Sequence, residues 1–525
     1  MITNNPSAFS SPSIPAVNGA AYLVDGEIRH WTGVMTGIES PMQVHLGDLA
    51  SLSTPEVLAA LAAAKKAWNN GLGAWPTSHP NERIAAMEQF VAGMRAKVKE
   101  LATMLCFEIA KPYKDAEKEI TRTIEYIDLT IAAYKEMEEQ SNVIKKADGF
   151  MAQIRRSPLG VCLVMGPYNY PINETFCLLV PALIMGNTVL IKGARFGALT
   201  LQLLIEDFQR SFPAGVINTI NGKGATIIPP LMESGDINVL AFIGSAAASR
   251  RIRAPHPKPN RLRCVLGLEA KNVAIICPDA DLDLAAAECV AGSLSYNGQR
   301  CTAIKMILVH GEVREAFTQK YVERVNKLVA GNAFDPAVSI TPMPSPEEVA
   351  RLQSLLAGAL AAGARLVSPG LDGRTVAGST LMIPAVIDQV TTAMEIAKVE
   401  QFGPVVPIGE WTDRMAVLDY LSNADVGQQL ALFTASADVA GWWIDHTAQL
   451  QCRLNLNSQC QRGPDVFPFT GRKDSAEGTL SISDALRCFS IRSMVAVKKT
   501  PANVDLAQEI LSKGTSNFFS TKVIL

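Results

Sequence analysis

The chain has 525 residues, 48% of them hydrophobic and 19% charged, with a formal net charge of −2. This is the composition of an ordinary globular protein with chain enough for roughly three domains, and it supplies no positive field for nucleic acid or an anionic membrane. The ten cysteines contain no CxxC pair and the six histidines no ligand-like cluster, so a zinc site or disulfide framework is not expected; reduced thiols in a cytoplasmic setting are.

The first twenty residues, rich in Ser, Pro and Asn, carry no signal-peptide pattern and read as a loosely held extension. Residues 55–98 are Ala-rich with helical spacing, broken by turn residues between 71 and 81, and helical pattern continues over 83–107 and 114–138. A polar hairpin is expected at 143–155, with Lys145, Lys146, Asp148 and Gly149 at its turn. Then the pattern changes. Short apolar strands at 161–165, 188–191, 213–220 and 239–243 alternate with helices at 174–185 and 198–208. The longest apolar run, 176–191, is interrupted by Pro181, Gly186 and Asn187 and is too short to span a bilayer. A second alternating region runs from 273 to about 456, with a strand at 306–309 and helices at 313–328 and 347–362, and the tail returns to strand at 492–497. Strands and helices alternating at these lengths predict βαβ units and an α/β fold with parallel sheets.

In such sheets ligands sit beyond the carboxyl ends of the strands, and three strand ends carry suitable residues. After 161–165 comes Gly166-Pro167-Tyr168-Asn169-Tyr170-Pro171, where Asn169 is either an amide donor for an oxyanion or part of a strand-end turn. After 188–191 comes Lys192-Gly193-Ala194-Arg195, two cations suited to a ribose and a 2′-phosphate, or solvated loop charges. After 239–243, Gly244-Ser245 precedes a helix start, where backbone donors and the dipole favour a phosphate. Asn221-Gly222-Lys223-Gly224 adds a close-approach turn. Cys301, in Asn297-Gly298-Gln299-Arg300-Cys301-Thr302, is either a nucleophile or a buried packing cysteine. With Arg300 and Lys305 close in sequence, cations are expected to lower its pKa. The cluster Arg250, Arg251, Arg253, His256, Lys258, Arg261 and Arg263 reads first as a solvated face, with attraction of an anionic ligand as the rival.

These segments, joined by Glu400-Gln401-Phe402-Gly403-Pro404, resemble the aldehyde dehydrogenase superfamily from about residue 57 to 497. The resemblance implies a doubly wound cofactor domain (1–139 and 158–272), an α/β catalytic domain (273–488), and a small oligomerisation element with C-terminal tail (140–157 and 489–525) that builds dimers or tetramers. It implies Cys301 as nucleophile, Asn169 as oxyanion donor, Lys192 and Glu400 as cofactor contacts, and Phe402 as the wall of the nicotinamide. Gln299-Arg300-Cys301-Thr302-Ala303 and the segment from Arg462 to Phe469 most resemble the non-phosphorylating, NADP-dependent glyceraldehyde-3-phosphate dehydrogenases. On that likeness Arg122, Tyr170, Arg300 and Arg462 hold a substrate phosphate, and Arg195 favours NADP, with NAD as the alternative. Two other readings stay open: a coenzyme-A-acylating or other semialdehyde dehydrogenase, and a non-catalytic, crystallin-like binding protein.

One departure is large. The superfamily's water-activating glutamate belongs where this chain has Gly267, in Leu266-Gly267-Leu268-Glu269-Ala270-Lys271. Glu269 lies two residues on, about 7 Å along an extended strand. Three outcomes follow: Glu269 reaches the site through a rearranged loop, another base or acyl acceptor serves, or hydrolysis is slow. The first is favoured, because residues two apart on a strand share a face.

Overall fold

The computed structural model describes residues 11–522 together with strand Ile2–Thr3. The remaining residues of the expected N-terminal extension, 1 and 4–10, lie outside the described residues, and Ile2–Thr3 itself pairs in parallel with Val329–Ala330.

The helices follow their sequence signals. Helix Thr54–Trp68 has Pro55 in its first turn, Glu56 near its start, and Lys65 and Lys66 near its end. It buries Val57, Ala60, Leu61 and Ala64, the spacing of one helical face. Asn69 ends it in the left-handed region at φ 44°. Two expected helices are divided. Residues 83–107 form parts of Pro80–Ala96 and Val98–Ile109, which meet at Lys97, and residues 198–208 split into Ala198–Gln202 and Ile205–Ser211. Periodicity alone does not register such breaks, because the apolar face continues across them.

A six-stranded sheet takes the order Ile217–Thr219, Thr188–Lys192, Val161–Met165, Val239–Ile243, Arg263–Gly267, Ala476–Glu477. The first five strands are parallel, and the last, from far along the chain, pairs antiparallel. Strand order reverses direction at Val161–Met165, so the crevice between it and Val239–Ile243 is the switch point where a nucleotide is expected. Register brings Met165 opposite Lys192 and Phe242, and Ile243 opposite Gly267. The residues following all four strands therefore meet at one edge.

A seven-stranded sheet runs Arg365–Leu366, Ala385–Asp388, Val405–Trp411, Ile304–His310, Asn272–Ile276, Gln429–Phe433, Arg453–Leu456, parallel apart from the first strand. Cys301 lies just before Ile304–His310, and Glu400 and Phe402 just before Val405–Trp411. The second sheet thus presents its starting edge to the finishing edge of the first. The hairpin Ile144–Ala147/Phe150–Pro158, with both turn residues Asp148 and Gly149 at positive φ, pairs with Ser490–Lys498 to form a third, antiparallel sheet.

Candidate active site

Between the two sheet edges lies a cavity of about 1150 Å³. Its walls include Asn169, Glu174 and Cys301, then Glu269, Glu400 and Phe402, and outward Arg195, Gly244, Ser245 and Ala246.

Cys301 is positioned by three consecutive left-handed residues: Tyr296 at φ 48°, Asn297 at 55° and Gly298 at 72°. A Cβ at Gly298 would stand 2.6 Å from Ser293 O and 2.9 Å from Gly403 O, so only glycine allows the turn to close against both chains. Asn297 anchors it, its Nδ2 donating to Thr341 O at 2.9 Å.

The thiol does not behave as its sequence neighbours imply. Burial is the largest influence and pushes Cys301 up to about 11; Glu174 adds to the rise, and Lys305 and Arg462 oppose it without cancelling it. Arg300 turns away, its Nη2 donating to Ala291 O and Gly292 O at 3.1 and 2.8 Å. The Lys305 ammonium donates to Cys301 O at 2.7 Å and pairs with Glu400 at 2.9 Å, so its charge already has a carboxylate partner.

Asn169 is buried, and its Nδ2 donates to Gln299 O at 2.8 Å, tying the first strand end to the cysteine turn. Its own carbonyl accepts from Lys111 at 2.7 Å. Lys111 is fully buried, ion-paired with Glu119, and sits 3.4 Å above the centroid of Tyr170. Glu119 in turn accepts from the Ile172 and Asn173 N–H groups at 3.0 and 3.1 Å. A buried ion pair thus fixes the main chain that carries Asn169.

Glu269 reaches the cavity, though not by strand alternation. The strand ends at Gly267, and residues 268–271 are irregular. A Cβ at Gly267 would meet Ile243 Cγ1 at 3.2 Å and Leu480 Cδ1 at 3.4 Å, and Gly267 itself is not part of the cavity wall that Glu269 joins. The Glu269 carboxylate accepts from the Ala246 N–H at the start of helix Ala246–Arg253; burial, then Glu400, raise its pKa. Glu400 also accepts from the Ala270 N–H at 3.3 Å.

Ser245 caps that helix, its Oγ accepting from Ala248 N at 3.1 Å. Arg195 is exposed at the mouth, its guanidinium over the Phe196 ring. Lys192 and Gly222 do not line the cavity; Lys192 donates to Gly193 O at 3.0 Å, and burial lowers its pKa. A Cβ at Gly224 would lie 3.9 Å from Lys192 Cε, which places the Asn221–Gly224 turn beside it. Phe402, at φ 49°, meets Tyr168 edge-on at 6.0 Å.

Of the four residues matched to a phosphate site, two are brought together. Arg122 binds Asp465 bidentately at 2.9 and 2.7 Å, and Arg462 shares Asp465 at 3.3 Å while pairing with Glu174. Tyr170 packs under Lys111 and Arg300 binds backbone, so neither joins that cluster. In the basic cluster, Arg250 and Arg253 pair with Asp474 and Glu477, and His256 is buried against Ile237 O rather than solvated. Glu174, Asp465, Lys111 and Glu119 went unread in sequence. Glu174 carried a signal: a lone acid opening an apolar helix, five residues after Asn169, which passes for an ordinary acid in a first turn.

The aldehyde dehydrogenase family model matches residues 36–495. The chain belongs to the aldehyde dehydrogenase family. It is 33% identical over 492 residues to the NADP-dependent glyceraldehyde-3-phosphate dehydrogenase of Streptococcus equinus, covering 92% of this chain and 97% of that one. The enzyme of the same name from Pisum sativum is 30% identical over 493 residues, covering 92% and 95%. Among solved structures, that of Bacillus halodurans NADP-dependent glyceraldehyde-3-phosphate dehydrogenase complexed with NADP superposes with a TM-score of 0.84 at 30% identity, covering 92% of this chain and all of that one. The α/β architecture expected from the alternating strands is therefore that of the family. Among the described residues no group of acidic, Cys and His side chains is arranged to hold a metal, and no helix is long and apolar enough to cross a membrane.

Proposed function

We propose that this aldehyde dehydrogenase oxidises D-glyceraldehyde 3-phosphate to 3-phosphoglycerate with NADP⁺. The observation that carries the reading is one cavity lined both by Cys301 and Asn169 and by the turn Gly244-Ser245. The residues present fit a dinucleotide. A Cβ at Gly244 would lie 2.4 Å from the Phe242 ring, so the turn stays open to close approach. Ser245 and the helix behind it receive a phosphate and Arg195 a 2′-phosphate, while Lys192 and Gly222, beside one another outside the cavity wall, are the further cofactor contacts. Glu400 takes the ribose and Phe402 walls the nicotinamide. A nicotinamide bound there accepts the substrate's hydride.

The chain's own residues do the rest. Cys301 attacks the carbonyl carbon, while the Asn169 amide and the Cys301 N–H hold the oxyanion. Loss of hydride leaves a thioester, and Glu269, raised in pKa and facing the same cavity, activates the water that cleaves it. Arg122 and Arg462, the two brought together at Asp465, receive the substrate phosphate. The enzyme acts as a cytoplasmic homo-oligomer, dimer or tetramer, through the third sheet, whose Phe150, Ile491 and Met494 are exposed.

Gly267 favours a second reading, acyl transfer to coenzyme A, since the family's own base is missing there. The test crosses glyceraldehyde 3-phosphate against unphosphorylated aldehydes, with NADP⁺ and NAD⁺, with and without coenzyme A. Preference for the phosphorylated aldehyde with NADP⁺ and no need of coenzyme A is expected; dependence on coenzyme A would reverse the assignment.

A further inference from the structure

Resting on this reading, we propose that Glu174 accepts the proton of the Cys301 thiol, and that the substrate's phosphate releases it for that task by taking Arg462. Glu174 and Cys301 line the same cavity, and Glu174 is buried at 6% exposure. It opens helix Asn173–Ile184, whose first turn is joined to the Asn169 strand end by the Glu174 N–H bond to Tyr170 O at 3.1 Å. Its carboxylate is held by Arg462.

Arg462 is the shared member of a balanced set: Arg122 and Arg462 against Asp465 and Glu174. Asp465 is committed to Arg122 by two short bonds and to Arg462 by a longer one at 3.3 Å. A phosphate dianion entering this set competes for both guanidiniums, with more charge and more acceptor oxygens than a carboxylate. Asp465 keeps a partner in Arg122, and Glu174 is the carboxylate set free. A carboxylate that loses its guanidinium becomes a stronger base. It does so beside a sulfur that is a thiol at neutral pH, since burial holds Cys301 near 11.

The step balances. The Sγ–H bond breaks and its proton passes to the Glu174 carboxylate as the S–C bond forms. The carbonyl π pair moves to oxygen, where the Asn169 amide holds it, and hydride later leaves to NADP⁺. The charged groups facing the thiol are Glu174, Lys305, Arg462 and Glu400; the titratable groups facing Glu174 are Arg462, Lys111, and the Cys177 and Cys301 thiols. Lys305 is spent on Glu400 and the Cys301 carbonyl, which leaves Glu174 as the base on the substrate side.

The experiment is a rapid-mixing NADPH burst with glyceraldehyde 3-phosphate across pH. The native burst rate is expected to stay nearly flat from about pH 6 to 9. Glu174→Gln, which keeps an acceptor for Arg462, should burst about 10²–10⁴-fold more slowly, with a rate that climbs tenfold per pH unit as free thiolate takes over. Glu174→Asp should restore the flat profile. First-turnover NADPH formation by Glu174→Gln with native rate and profile would overturn the proposal; a native enzyme that forms no NADPH from this aldehyde would overturn the proposed function along with it. A second arm needs no variant: inorganic phosphate added with unphosphorylated glyceraldehyde should accelerate the native burst, and no acceleration would refute release by phosphate.

Discussion

Replacing Asn169 by alanine isolates the oxyanion donor from everything that supports it. The main chain at 169 is held through its carbonyl by Lys111, and a side-chain truncation leaves that bond and the Lys111–Glu119 pair in place. What is lost is the amide, whose Nδ2 now donates to Gln299 O at 2.8 Å. Losing that bond leaves one buried carbonyl short of a donor, a stability cost of about 1–3 kcal/mol. Losing the oxyanion donor costs the reaction about 2.7–4 kcal/mol, or about two to three powers of ten in rate. The two effects separate by assay. Stopped-flow absorbance of NADPH formation in the first turnover should fall by that factor, while fluorescence titration with NADP⁺ gives an unchanged Kd, because Asn169 does not face the dinucleotide end. A burst rate within about threefold of native, in a variant that still binds NADP⁺, would refute the oxyanion role.

Arg122→Met should raise KM for glyceraldehyde 3-phosphate by about tenfold or more, the worth of a charge-assisted hydrogen bond, and spare an uncharged aldehyde. It is a cleaner probe than Arg462→Ala, which leaves the buried Glu174 carboxylate without its cation and should destabilise the fold by about 3–5 kcal/mol in a denaturant titration. Glu269→Gln should leave the burst intact and slow the turnovers that follow. Because burial and Glu400 raise the Glu269 pKa, and the base works ionised, native deacylation should decline as pH falls through a value above an ordinary glutamate's; a thioester lifetime independent of pH and of this substitution would remove Glu269 from the mechanism. Without ligands, iodoacetamide should modify Cys301 tenfold faster per pH unit from about 7 to 10, with a plateau only near 11, read by mass spectrometry of its peptide. A plateau near neutrality would contradict the burial effect.

The alternating apolar segments gave the first sheet four of its strands and the second Ile304–His310, because a strand covered on both faces is apolar throughout and ends at a polar turn. That is why Asn169, Gly244 and Cys301 were legible: each sits where such a run stops or starts. The cysteine's charge state was not legible. Sequence neighbours Arg300 and Lys305 are cations, yet one turns to helix carbonyls and the other is paired with Glu400 from 95 residues on. The direction of Glu269 was equally hidden, since alternation holds only while the chain stays in a sheet and the strand ends at Gly267. Asp465 and Arg122 are 343 residues apart, and nothing local in either segment announces the pair.

The central claim is that Cys301 becomes acylated during turnover. Acid-quenched mixtures of the protein, glyceraldehyde 3-phosphate and NADP⁺, digested and analysed by mass spectrometry, test it most directly. An acyl adduct on the Cys301 peptide that appears with the first NADPH and decays with turnover is the expected result. NADPH formation with no adduct there, or with the adduct on another cysteine, would contradict the account.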